Sequence, residues 1–261
     1  MKSASLVYFY FGDSYLTTLG QETVPVGLAL EGYDRSVLLH FDTKAGPFEV
    51  SKADEKNASV IDTPTIDHMI SQLDDLRKSG YTVDLFMFTH GSEDLFRTTK
   101  GVYGENAWVS SGYFESKVAP LDLRAVWQCN CYGATWNETW SKLGAKVSAG
   151  TQFVNFYPNR FGGFMRRWTD GATFADALAE SDTAAIRTAA QTFILGDALS
   201  RLKEWNGTVF SAPTILGKNK ASERYFTQCW LESDYDPKLS GKGNMNRASE
   251  MIVEGNRALT R

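Results

Sequence analysis

The chain has little sulfur and little histidine. Of its 261 residues, three are cysteine (Cys129, Cys131, Cys229) and three are histidine (His40, His68, His90). So odd and sparse a cysteine set does not make a disulfide framework; it fits a reducing compartment and a cytoplasmic protein. Cys129 and Cys131 are one residue apart, where a bridge is strained, so free thiols are expected. The C-x-C pair also lacks the second C-x-x-C or His pair of a zinc site, so neither metal nor cofactor is expected. Charge of one sign is lacking too: 27 Lys and Arg stand against 31 Asp and Glu, a net −4. The cations are spread along the chain, which argues against a nucleic-acid partner. No apolar run approaches the ~18 residues of a membrane span. The first residues, MKSASLVYFYFGDSY, carry one Lys, a short apolar run, then Asp13 at once, with no A-x-A-like site. They read as a first strand rather than a signal peptide. Internal repeats, low-complexity tracts and Pro/Ser-rich linkers are absent from the sequence.

What is present suits a packed globular chain: 43% apolar, 22% charged and 13% aromatic residues. LVYFYFG (6–12), RSVLLHF (35–41), YTVDLFMFT (81–89), LRAVWQ (123–128) and AKVSAGT (145–151) read as strands. Their near-continuous apolar character is that of strands buried on both faces. Residues 63–80 read as a helix with Thr63 as cap, Pro64 in its first position and Gly80 as stop. Its apolar stripe is Ile66, Met69, Ile70, Leu73 and Leu76, with His68 on the polar face. A short helix over 134–144 has Thr135 and Glu138 at capping-box spacing and Trp136, Trp140 and Leu143 on one face. Helical patterns follow over 153–202, broken at Gly162-Gly163 and Gly171. Strand-helix-strand alternation predicts a three-layer α/β fold: a mostly parallel sheet with helices on both faces. One domain over 1–205 is expected, with 206–261 as an extension packed on it.

FGDSY (11–15) has the look of a Gly-Asp-Ser esterase nucleophile block at Ser14. Such a serine needs a late histidine, and none lies beyond His90. A strand-end turn, where Gly, Asp and Ser are ordinary residues, accounts for the stretch.

Two strand ends carry better chemistry. In an open parallel sheet, ligands bind beyond the carboxyl ends of the strands. LFMFTHGS (85–92) ends a strand in His90-Gly91, and VWQCNCYG (126–133) ends another in the cysteine pair. If these strands are neighbours, imidazole and thiol meet at one rim. A helix starting just after Cys131 would favour a thiolate there.

In that order, the two blocks resemble the signature blocks of the caspase-like cysteine peptidases, the group of legumains, gingipains, metacaspases and caspases. The resemblance covers roughly residues 5–155, and 41 residues separate His90 from Cys131. It implies a caspase-like fold, a peptide or protein substrate and nucleophilic acyl transfer. Cys131 would be the nucleophile, His90 the acid and base, and the N–H groups of Gly91 and Cys131 the oxyanion donors. Cys131 is preferred to Cys129 because Cys-Tyr-Gly keeps the C-x-G spacing of caspases. Aligning Gln128 with the caspase Gln would instead put Asn130 at the nucleophile position and imply a silent binding or regulatory module. Asp13, Cys129 and Asn130 are candidate substrate-binding residues, with Asp13 favouring a basic side chain. The group usually cleaves after a polar or charged residue. The aromatics of 151–161 are candidate walls of the cleft.

Overall fold

The computed structural model describes residues 2–10, 26–40, 58–62, 65–98, 108–152, 160–183 and 250–261. A seven-stranded sheet runs through it. Its strands are β1 (Ser3–Tyr10), β2 (Arg35–His40), β3 (Ala58–Asp62), β4 (Thr82–Thr89), β8 (Leu123–Cys129), β9 (Val147–Thr151) and β10 (Met251–Gly255). The order is β10-β9-β8-β4-β1-β2-β3, with β10 antiparallel to β9 and every other pair parallel. A second, antiparallel sheet is made of β5 (Gly91–Ser92), β6 (Leu95–Arg97) and β7 (Trp108–Ser110).

Side chains alternate across the central strands and feed two cores. On one face Val7, Phe9, Phe86, Phe88 and Trp127 pack against α1 (Val26–Leu30), α5 (Phe161–Thr169) and α6 (Phe174–Ser181). On the other, Leu6, Tyr8, Leu85, Met87 and Val126 pack against α2 (Ile66–Lys78), α3 (Ser111–Lys117) and α4 (Asn137–Lys142). This is the three-layer α/β fold that the strand-helix alternation predicts. All eight residues of β4 are buried, as its run of apolar side chains requires.

A buried carboxylate lies within this apolar layer. Asp84 of β4 is wholly buried and takes a bidentate pair from Arg124, at 2.8 and 2.6 Å. The Tyr33 hydroxyl donates to it at 2.7 Å and the Trp168 indole at 3.1 Å. Four donors satisfy the carboxylate, which makes its burial tolerable. The cluster fastens β4, β8, α5 and the loop before β2 near the amino ends of the strands.

Several expectations are corrected. The cap of α2 is Thr65, not Thr63: its hydroxyl accepts from the His68 N–H, and His68 Nδ1 accepts from the Thr65 N–H at 3.2 Å. The exposed His68 is therefore half of a capping box. The Gly162-Gly163 pair does not interrupt α5, because Gly163 sits where α6 approaches and a Cβ there would lie 3.3 Å from Ser181. Gly171, at φ +85°, does follow the end of α5. Within the expected 206–261 extension, β10 pairs with β9 and so forms an edge of the main sheet. Thr63, Pro64, Ser14, Cys229 and residues 206–249 lie outside the described residues.

Candidate active site

The chain runs outward from β1 to β3, then returns across β1 to β4 and continues outward through β8 and β9. The order therefore reverses between β1 and β4, and a crevice opens at the carboxyl ends beside such a reversal. His90 follows β4 directly. β8 is the next strand, with Phe88 opposite Cys129, so the two strands end level with one another. His90 and Cys131, both half-buried, each stand just beyond those ends.

The two ends touch. A Cβ on Gly91 would lie 2.1 Å from the Cys131 carbonyl oxygen, closer than any side chain permits. Only glycine lets the His-Gly turn approach the cysteine turn so nearly. A second such joint lies beneath it: a Cβ on Gly150 of β9 would lie 2.2 Å from the Gly133 carbonyl carbon. Gly150 is a site residue that the sequence reading misses; a glycine inside a strand is the signal for a close backbone approach.

Hydrogen bonds fix both turns. The Thr89 hydroxyl donates to the Arg97 carbonyl at 2.7 Å, and the Arg97 N–H donates to the His90 carbonyl at 2.9 Å. The β5-β6 hairpin thus holds the histidine from behind. At its tip Asp94, at φ 56°, donates its N–H to the Thr135 hydroxyl at 2.9 Å. Thr135 in turn donates to the Tyr132 carbonyl at 2.8 Å. Tyr132 has φ 56°, a left-handed conformation that is costly for a non-glycine residue and turns the chain sharply after Cys131. The Asn130 carbonyl accepts from Gly133 N–H at 3.2 Å and from the Thr151 hydroxyl at 2.9 Å. Below, Phe96 of the hairpin packs on Trp136 with ring centres 4.8 Å apart, and Trp136 lies 5.6 Å from Trp140. The histidine and cysteine segments share one aromatic base.

The predicted helix over 134–144 is two elements, a 3-10 turn Gly133–Trp136 and then α4. No side chain caps either, because the Thr135 hydroxyl is engaged by the hairpin and the turn. Trp136, Trp140 and Leu143 are buried on one face, as their spacing predicts.

The two thiols differ. Cys129 is 2% exposed in the core beside Trp127, and burial pushes its pKa up to about 12, partly opposed by the Arg160 charge. It is held as a neutral thiol away from water. Cys131 stands at the rim. Cys129 and Asn130 do not line a substrate surface: both side chains are buried, Asn130 at 1% exposure. Gln128 is also internal. Its carboxamide accepts from Trp140 Nε1 at 2.9 Å and donates to Asn137 Oδ1 at 3.2 Å, while Asn137 donates to the Ile252 carbonyl at 3.1 Å. Phe161 is a core residue, 4.9 Å from both Phe88 and Trp127, rather than a cleft wall. Asp13 and residues 153–159 lie outside the described residues. Among the described residues no group of three or more His, Cys, Asp or Glu is placed to hold a metal, and no helix is long and apolar enough to cross a membrane.

No family model matches the chain, and no curated protein matches it. Among solved structures it is similar to the DNA/pantothenate metabolism flavoprotein from Streptococcus pneumoniae, at 11% identity over 58% of this chain and 82% of that one, with a TM-score of 0.29.

Proposed function

We propose that the chain is a cysteine endopeptidase of the caspase-like kind, working through Cys131 and His90. The observation that carries this reading is the Gly91–Cys131 contact. It brings the segments that carry His90 and the half-buried Cys131 together at the carboxyl edge of a parallel sheet, beside the reversal of strand order. The neutral, buried state of Cys129 supports Cys131 over it as the nucleophile.

The chemistry is acyl transfer. The Cys131 sulfur attacks the scissile carbonyl carbon, and the carbonyl oxygen takes the electron pair. The N–H groups of Gly91 and Cys131 receive that oxyanion; losing one such donor typically costs about 3–4 kcal/mol. Imidazolium His90 protonates the leaving amine as the C–N bond breaks, giving a thioester. Water, deprotonated by His90, then cleaves the thioester and restores the thiol. The substrate is a peptide or protein cut after a polar or charged residue.

The test is thiol alkylation at pH 6, mapped by mass spectrometry, together with a peptide library. A thiol of ordinary pKa, about 8.5, is almost wholly protonated at that pH and reacts slowly. Fast labelling confined to Cys131, slowed by His90→Ala, is expected, with cleavage that alkylation abolishes. A folded chain that labels no faster than free cysteine and cuts no peptide refutes the reading and identifies a silent binding module instead.

A further inference from the structure

Asn130 stands out because both polar atoms of its side chain are affected: it is 1% exposed, and among the described residues neither atom has a hydrogen-bond partner. A buried group left this way costs about 1–3 kcal/mol, and a native fold keeps it only for a reason. Its position suggests the reason. Nδ2 lies 3.0 Å from where a Gly91 Cβ would stand, and Oδ1 lies 2.9 Å from where a Gly133 Cβ would stand. The carboxamide is wedged between the two glycines that flank the His90–Cys131 pair. Its main chain cannot drift, because Gly133 and Thr151 both bond to its carbonyl.

We propose that Asn130 is a positioning residue for Cys131, resting on the peptidase reading above: its side chain sets the spacing of the His-Gly and cysteine turns and offers its unspent N–H to the negative charge that develops there. The titratable and charged groups on the turns around this point include His90 at the end of β4, Arg97 and Asp94 of the hairpin, Cys129 in β8, and Arg160, whose charge reaches Cys129. A space-filling residue has no use for the amide: an apolar side chain of similar size fills the gap without two orphaned polar atoms. Asn130 keeps them at a cost in stability, the trade expected of a group that acts on chemistry.

The experiment compares wild type with Asn130→Leu and Asn130→Ala in two readouts: the urea midpoint, and the rate of Cys131 alkylation at pH 6. Asn130→Leu keeps the bulk and removes the orphaned groups. The expected result is a midpoint equal to or above that of wild type with labelling about tenfold slower, the loss of one charge-assisted hydrogen bond. Asn130→Ala serves if the branched leucine does not fit between the glycines; it is expected to slow labelling to the same degree while the buried tryptophans still report a folded chain. Labelling at the wild-type rate in either folded variant overturns the proposal. So does a rate that falls only as far as stability falls. The wild-type rate alone decides the peptidase reading: fast wild-type labelling with unchanged variants removes the role of Asn130 and leaves the dyad standing.

Discussion

Replacing Gly91 by alanine tests the joint on which the site depends. Gly91 is not among the positive-φ glycines, so alanine meets no backbone penalty there and the effect is purely steric. The new methyl would lie 2.1 Å from the Cys131 carbonyl oxygen and 3.0 Å from Asn130 Nδ2. Carbon and oxygen approach no nearer than about 3.3 Å, so the two strand ends must separate by about 1 Å. Neither end can give easily, with His90 tied back to Arg97 and Asn130 held by Thr151. Overpacking of this kind costs about 1–3 kcal/mol. A reacting pair displaced by about 1 Å loses on the order of a hundredfold in rate. The assay is Cys131 alkylation at pH 6 beside urea unfolding. We expect a folded, modestly destabilised protein whose labelling falls by about two orders of magnitude. An alanine variant with wild-type stability and labelling would mean that the two turns do not meet as described.

Other outcomes follow from the same structure. Trp136→Ala removes the ring shared by Phe96, Phe114 and Trp140, and should cost about 3–5 kcal/mol in urea unfolding. Asp84→Ala strands the Arg124 guanidinium and should cost about 3–5 kcal/mol. Six residues, about 20 Å, separate Asp84 from His90 along the strand, so labelling of Cys131 in the folded variant should be unchanged. The Cys129 thiol has its pKa raised by folding, so it favours the fold fully below the unfolded thiol pKa, about 8.5, and progressively less as pH rises toward about 12. Cys129→Ala should therefore flatten the fall of stability over that window, by up to about 1.4 kcal/mol per pH unit; identical pH dependence in the two proteins would refute the burial argument.

The sequence is most legible where burial is greatest. β1, β4 and β8 announce themselves because strands covered on both faces need apolar residues at nearly every position. The same logic fails for β10, an edge strand whose Met251 is buried while Ile252 is exposed; half a strand's worth of signal disappears into a polar tail. The short α1, β3 and β5 fall below any periodicity. The juxtaposition of His90 and Cys131 could be anticipated only if their strands are neighbours, and the pairing of β4 with β8 supplies that condition. The choice between the thiols could not be made from alternation alone, since two residues of spacing gives one side of a pleat. It is the end of β8 at Cys129 and the left-handed Tyr132 that separate them. Gly91 is legible as a conspicuous neighbour of histidine. Its partnership with the Cys131 carbonyl is not, because glycine marks a close approach without naming what approaches.

The hydrogen bond from Asn137 to Ile252 joins residues 115 positions apart. Closing a loop of that length costs about 4 kcal/mol of chain entropy before any contact rewards it. A chain made from its amino end thus has β1, β4 and β8 available long before β10 arrives to seal the sheet beside β9. Until then the edge of β9 is unpaired and the Gln128–Asn137 cluster beneath the cysteine turn lacks its last acceptor. His90 and Cys131 come early in the sequence, but their support is finished late. The Cys131 labelling rate, followed over time during refolding, should reach its native value after the tryptophan core forms and together with the docking of the final strand.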